Sequence, residues 1–294
     1  MAGDTLEEAH PGVADEYFSQ SPGRRFQIVF FGPLLNYLLG LFCFWFIFVA
    51  GYPQLTTKVG GLVDGYGAQK AGIQVGDRII AIDSVKVKYW EDLQKIVQSK
   101  STTEEVTVDI IRSDTSITLR VPIKAKAVDD ELGKKRRVGL IGIIPADDTV
   151  TVSYGILPSM HRALSKSWDL TAITYKAIWR MITGQLSVKE SVTGPLGMFF
   201  ITRKVASLGI IALVYFLATL SISLCLFNLL PIPALDGGHI FLLALEKIRG
   251  KGLSAKTERI ISHVGFTFII SLALFITYND ILRLFGAKIS QFFR

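Results

Sequence analysis

The sequence predicts a polytopic α-helical membrane protein with an inserted extracytoplasmic α/β domain. Half of the 294 residues are hydrophobic and only 19% are charged, a balance rare in soluble chains. Uncharged apolar runs occupy residues 26–52, 207–235 and 264–278, lengths suited to a hydrocarbon layer roughly 30 Å thick. Between the first two runs, residues 59–126 have the mixed polarity and alternation of a folded soluble domain.

In chain order, residues 1–25 form a hydrophilic cytoplasmic loop with Asp4, Glu7, Glu8, Asp15 and Glu16, without the basic start and apolar core of a signal peptide. Residues 26–52 read as the first membrane helix, with Arg24 and Arg25 placing its start in the cytoplasm. Gly32 and Pro33 interrupt its first third, and Asn36 needs a hydrogen-bond partner within the membrane, which a neighbouring helix can provide. In residues 53–126, strands are expected at 105–111 and 116–123 and a helix at 92–98. Residues 127–204 read as a linker carrying a strand at 138–144 and an amphipathic helix. Its apolar stripe is Met160, Leu164, Trp168, Thr171, Tyr175, Trp179 and Ile182, ending at Gly184. Two placements stand open for that helix: on the membrane surface with its tryptophans at headgroup level, or against the soluble domain. The run Lys134 to Arg137 reads as a solvated turn rather than a lipid or nucleic-acid site. A membrane helix over 205–245, a cytoplasmic loop over 246–259, a last membrane helix over 260–285 and a tail over 286–294 complete the chain. Five basic against two acidic residues put the 246–259 loop inside.

The net charge of +7 comes from 32 basic and 25 acidic residues. The basic residues are scattered and accompany no base-stacking or phosphate-cradling motif, so nucleic acid is not an expected partner. Cys43 and Cys225 fall inside apolar runs and read as packing residues.

The chemistry concentrates at Asn228-Leu-Leu-Pro-Ile-Pro-Ala-Leu-Asp-Gly-Gly-His239. Pro231 and Pro233 remove backbone donors, tolerated at membrane depth only where the freed groups face protein or a water-filled cavity. Gly237 and Gly238 permit close approach of another backbone or a metal. Asp236 is the first charge after the run, and a carboxylate at that depth is costly unless a cation or hydrogen bonds hold it. The physics alone leaves two readings: an unwound, ligand-presenting site in a helix bundle, or a helix that ends at the interface with Asp236 in water.

Asn-x-x-Pro-x-Pro-x-Leu-Asp-Gly-Gly resembles the second metal motif of the site-2 protease family, intramembrane zinc metalloproteases, and most closely the bacterial regulator-of-sigma-E protease type. The resemblance implies that Asp236 is a Zn2+ ligand and that Asn228, Pro231 and Pro233 line the substrate cleft. The Gly-Pro-x-x-Asn at Gly32 implies that Asn36 borders it, and Gly194-Pro195-Leu196-Gly197 is likewise similar to the family. The substrate it implies is a single-pass membrane protein already trimmed on the outer side, in the bacterial cytoplasmic (inner) membrane. The other two ligands of the family are histidines of a His-Glu-x-x-His helix, whose Glu is the general base. The four histidines here, His10, His161, His239 and His263, do not form that motif. His239 as a second ligand one turn after Asp236 is not favoured. The expectation is therefore an N-terminally truncated chain with no catalytic residue of its own, since Met-Ala-Gly-Asp and the acidic loop resemble an internal segment of the family. The alternative is a non-catalytic membrane-anchored adaptor whose soluble domain binds chain termini.

Val59-Gly-Gly-Leu-Val63, Ala71-Gly72-Ile73 and Val75-Gly76-Asp77-Arg78-Ile79-Ile80 resemble a PDZ domain of the circularly permuted bacterial kind. That resemblance implies a loop at Gly60 and Gly61 whose amides receive a C-terminal peptide, with Leu62 and Val63 on the adjacent strand. Tyr66 and Gly67 replace the usual Ser-Pro, which puts peptide capture, as against a size-filter role, in question.

Overall fold

A computed structural model describes residues 20–129, 135–187, 191–250 and 255–292. The acidic loop with His10, and Lys134 and Lys251, lie outside these residues. In chain order the elements are α1 (Pro22–Ala50), β1 (Tyr52–Leu55), β2 (Val59–Leu62), α2 (Gly67–Lys70), β3 (Arg78–Ile82), β4 (Val85–Lys86) and α3 (Trp90–Ser99). There follow β5 (Glu105–Arg112), β6 (Thr115–Pro122), β7 (Lys124–Asp129), β8 (Lys135–Leu140), β9 (Ile143–Pro145) and β10 (Thr149–Val152). The remaining helices are α4 (Ile156–Ile182), α5 (Pro195–Ser207), α6 (Ile210–Asn228), α7 (Asp236–Arg249) and α8 (Ala255–Phe292). The chain divides into a helical unit, residues 1–47 with 156–294, and an inserted unit, residues 48–155.

In the helical unit, Gly23–Ala50, Ile210–Asn228 and Ile260–Arg283 are long and apolar enough to cross a membrane. Small residues let these helices approach closely, as is usual where lipid offers no hydrophobic drive to associate. A Cβ on Gly40 of α1 would lie 2.6 Å from Ile222 Cγ1 and 2.8 Å from the Ala218 carbonyl of α6. One turn on, Phe44 is buried and meets Tyr215 edge to face at 5.2 Å. Pro33 does not break α1, which runs through it, with the ring buried.

The region expected as one helix over 205–245 is three pieces. Gly209, at φ +101°, separates α5 from α6, and residues 229–235 separate α6 from α7. The amphipathic helix forms as α4, but its packed face is not the apolar stripe. Ser159, Ala163 and Ser167, spaced at four residues, are buried, while Trp168 and Trp179 are 69% and 65% exposed. The Tyr37 hydroxyl of α1 lies 3.3 Å from the Thr171 hydroxyl of α4, and Lys166 of α4 sits over the Tyr215 ring of α6. The stripe at 160–182 is thus left largely exposed, and small residues make the helix's seam.

The inserted unit buries a core of Val59, Ala68, Ile73, Ile79, Ile82, Leu93, Val97, Val106, Val108, Ile110, Val121 and Ile141. Its main sheet has the antiparallel order β4-β3-β5-β6. The burial of β5 alternates because one face covers this core. Asp77, 1% exposed, accepts two hydrogen bonds from the Arg112 guanidinium and one from the Gln74 amide. Burial alone would raise its pKa, but these bonds and the Arg112 charge hold the carboxyl below its ordinary value. The unit extends past residue 126: β7 pairs with β8, β2 with β9 and β1 with β10. The strand expected in a linker at 138–144 is therefore β8 and β9, split at Gly142 (φ +81°), and belongs to this unit. Gly60 and Gly61 also depart from expectation. They lie in strand β2, not in a loop, with Gly61 opposite Ile144 and a Cβ on Gly60 barred by the Pro145–Ala146 backbone.

Candidate functional site: a carboxylate at a helix break

α6 ends at Asn228 because two prolines follow within five residues, removing donors a continuing helix would need. The chain then turns tightly: the Ile232 amide donates to the Leu230 carbonyl at 2.7 Å, and the Leu235 amide to the Ile232 carbonyl at 3.0 Å. Ala234 takes φ +81°, a left-handed conformation that a non-glycine residue adopts only when its surroundings enforce it. α7 starts at Asp236, and an acid in the first turn is favoured by the helix dipole.

The two glycines after Asp236 have a specific reason. A Cβ on Gly237 would fall on the Leu229 and Leu230 carbonyls, and one on Gly238 on the Ile232 carbonyl. The close approach expected there is made by the motif's own loop, folded back over the first turn of α7. A third glycine was not legible in the pattern: Gly265 of α8, where a Cβ would fall on the Pro233 carbonyl and lie 2.6 Å from Pro233 Cβ. The unwound segment is thus wedged between α7 and α8. Only its setting inside a long apolar helix, where glycine is weakly favoured, could have flagged Gly265.

Asp236 is half-buried and faces α1, with its Oδ2 3.5 Å from where a Cβ on Gly32 would stand. α7 runs alongside the start of α1, because Arg25 Nη2 bonds Glu246 Oε1 at 2.8 Å, both side chains mostly buried. From Arg25 to Gly32, and from Glu246 back to Asp236, the helical rise of about 1.5 Å per residue puts Asp236 about 10–15 Å inward from that ion pair. Asp236 is thus partly covered by α1 rather than fully exposed. Asn36 lies one turn beyond Gly32 on α1 and is half-buried; Asn228 and Pro233 are half-buried and Pro231 exposed. His239 follows one turn after Asp236 on α7.

Zinc takes about four ligands, about three of them from protein. Among the described residues no group of three or more His, Cys, Asp or Glu could hold a metal ion. Asp236 is an oxygen ligand of suitable chemistry, but the described residues bring one ligand and not a complete centre.

Three membrane-length helices, an α/β unit inserted after the first and a carboxylate at an unwound break define an integral membrane protein with a bundle-embedded polar site. The chain belongs to peptidase family M50, the site-2 protease family, which matches residues 1–272. It is 31% identical over 281 residues to the regulator of sigma-W protease RasP of Bacillus subtilis, covering 95% of this chain and 64% of that protein. It is 32% identical over 275 residues to the zinc metalloprotease RasP of Oceanobacillus iheyensis, covering 92% and 62%. A putative zinc metalloprotease of Rickettsia conorii is 33% identical over 294 residues, covering 96% and 79%. The chain therefore spans less than two thirds of the length of the first two relatives. Among solved structures, the PDZ domain of an SdrC-like protein from Listeria monocytogenes is 22% identical, covers 33% of this chain and 90% of that domain, and has a TM-score of 0.25.

Proposed function

We propose that this chain carries the third-ligand and substrate-holding half of an intramembrane zinc metalloprotease. The observation that supports it is the Asp236 carboxylate, placed against Gly32 of α1 at the end of a segment that has lost its helix. When bound, zinc supplies Lewis-acid polarisation of a carbonyl and an acidified water. Asp236 would be one of its ligands. Asn228, Pro231 and Pro233 offer an extended, unwound stretch beside which a substrate helix can open, exchanging its lost internal hydrogen bonds for bonds to freed backbone groups. Asn36 adds an amide from the facing helix. The substrate class is a single-pass membrane protein already shortened on the outer side. The inserted unit lies on that outer side of a bacterial inner membrane, a placement supported by the basic residues at the Arg25 and Lys247–Arg249 ends of α1 and α7.

The test is cleavage of a single-pass reporter in membranes from cells that produce the protein together with a helix bearing the His-Glu-x-x-His of the family. Asp236→Ala and Asp236→Asn abolish cleavage and zinc retention at unchanged abundance, whereas Asn228→Ala slows cleavage and leaves zinc in place. Full cleavage by Asp236→Ala would refute the assignment.

A further inference from the structure

The inserted unit holds an open cleft of about 510 Å3 between the β1–β10 ribbon and the start of β3, lined by Thr56, Arg78, Lys88, Tyr89, Asp148 and Ser153 among others. Its charge is unbalanced. Arg78 stands directly opposite Lys58 across an isolated antiparallel bridge, and like charges in that position repel. Lys88 is the other cation of the lining, its Nζ 5.4 Å from the Tyr89 ring centroid. The one acid of the cleft, Asp148, accepts a hydrogen bond from the Thr56 hydroxyl at 2.8 Å, which leaves its charge in place, so the lining carries two cations against one anion. None of the three cations has an acidic partner among the described residues. Arg78 and Lys88 in the lining outnumber the single acid Asp148, and with the hydroxyls of Thr56 and Ser153 they match a phosphate group, which Arg binds through paired N–H donors and Lys as a point charge.

The source of that phosphate follows from where the ribbon starts. The apolar span of α1 ends at Ala50 and β1 begins at Tyr52. Phe48, in the last turn of the span, meets Tyr52 edge to face at 5.2 Å and Tyr154 at 6.5 Å, and the Tyr154 amide donates to the Phe48 carbonyl. Aromatic groups of this kind mark the headgroup level of a bilayer. Ser153, the next residue to Tyr154, lines the cleft. The cleft therefore opens on the β1–β10 stem, whose strands leave the apolar span of α1, and an anionic headgroup is the phosphate a membrane offers there. We propose that this cleft is a binding site for the phosphate headgroup of an anionic membrane lipid. The site is independent of the proteolytic reading and uses none of its residues.

The full chain is reconstituted in nanodiscs of phosphatidylcholine with increasing phosphatidylglycerol, carrying a polarity-sensitive fluorophore on Thr151→Cys; the native Cys43 and Cys225 are buried and do not label. Phosphatidylglycerol shifts the emission to the blue in a saturable way. In Arg78→Glu/Lys88→Glu the half-maximal lipid fraction rises at least tenfold, and in the milder Arg78→Gln by a smaller factor, with unchanged thermal unfolding in detergent. The proposal is overturned if phosphatidylglycerol gives no shift, or if the charge-reversed chain responds like the wild type. It is also overturned if, in pure phosphatidylcholine discs, hexaglutamate peptide or inorganic phosphate alone reproduces the shift, which would assign the cleft to an acidic peptide or a free anion.

Discussion

Gly265→Ala tests how the unwound segment is held. In an α-helix that substitution ordinarily stabilises by about 1 kcal/mol, because alanine loses less backbone entropy. At Gly265 the new methyl falls on the Pro233 carbonyl and 2.6 Å from Pro233 Cβ, backbone and ring that cannot swing away as a flexible side chain would. Contacts of this kind need about 3.4 Å or more, so α8 or the loop has to retreat by about 1 Å. Such overpacking costs about 1–3 kcal/mol. The contact with backbone places the cost near the top of that range and leaves a net loss of about 2 kcal/mol after the propensity gain. A displacement of about 1 Å at a reacting centre lowers rate by about 100-fold, so cleavage of the single-pass reporter falls far more than thermal stability does. The assay pairs unfolding in detergent with reporter cleavage, and Gly23→Ala, where nothing lies within 4 Å of the added Cβ, is the control. If Gly265→Ala gains stability as Gly23→Ala does and keeps its activity, the wedging of the segment by α8 is wrong.

Arg25→Ala and Glu246→Ala each strand a mostly buried partner charge, so each lowers the unfolding temperature in detergent; the swap Arg25→Glu/Glu246→Arg recovers most of the loss. The inserted unit is acid-sensitive in a defined direction. Burial pushes Asp77 up, but the Arg112 and Gln74 hydrogen bonds and the Arg112 charge outweigh it; hydrogen bonds from Lys100 and the Thr107 amide, with the Lys100 charge, hold Asp83 down. Both folded-state values lie below the unfolded ones, so their contribution is complete above the ordinary carboxylate range near pH 4 and is lost as pH falls through the lowered values. Thermal unfolding followed from pH 7 to pH 2 shows this loss, and Arg112→Ala lowers stability at pH 7 while flattening the acid dependence.

Much of the helical unit was legible because its signals are local. Two prolines and two glycines around one acid cannot sit in an uninterrupted helix, and the break appears where those residues stand. The uncharged runs became α1, α6 and the middle of α8 for the same reason, since lipid admits few alternatives. Long-range partners left no such trace. Gly40 against Ile222 and Gly265 against Pro233 are close approaches between segments distant in sequence, and a lone glycine in a helix does not say what it meets. The same holds at Asp280. It ends an apolar run as though at a solvent boundary, yet it is 2% exposed and accepts a hydrogen bond from the Gly197 amide at 2.8 Å, satisfying an orphan donor in the first turn of α5. The apolar stripe of α4 obeys helical spacing, but it does not name the face that packs: the stripe is largely exposed, and Ser159, Ala163 and Ser167 make the contact. In the inserted unit, β9 and β10 pair with β2 and β1, strands far back in the chain, and Gly60 and Gly61 were expected in a loop because the resemblance to a PDZ domain implied one. Here Gly60 is small so that the Pro145–Ala146 backbone can pass, while Gly61 faces the Ile144 side chain at an ordinary contact distance.

The placement of Asp236 against α1 is the geometry on which the catalytic reading rests, and a cross-link measures it directly. In a chain with Cys43 and Cys225 replaced by alanine, the pair Gly32→Cys/Asp236→Cys is oxidised in native membranes. A side chain at position 32 fits there at an ordinary contact distance of 3.5 Å from Asp236. A disulfide that forms rapidly at that pair, and not at Leu35→Cys/Asp236→Cys, where Leu35 faces outward, is the predicted result. Absence of the 32–236 bond, with both cysteines instead modified freely by a membrane-impermeant maleimide, would contradict it.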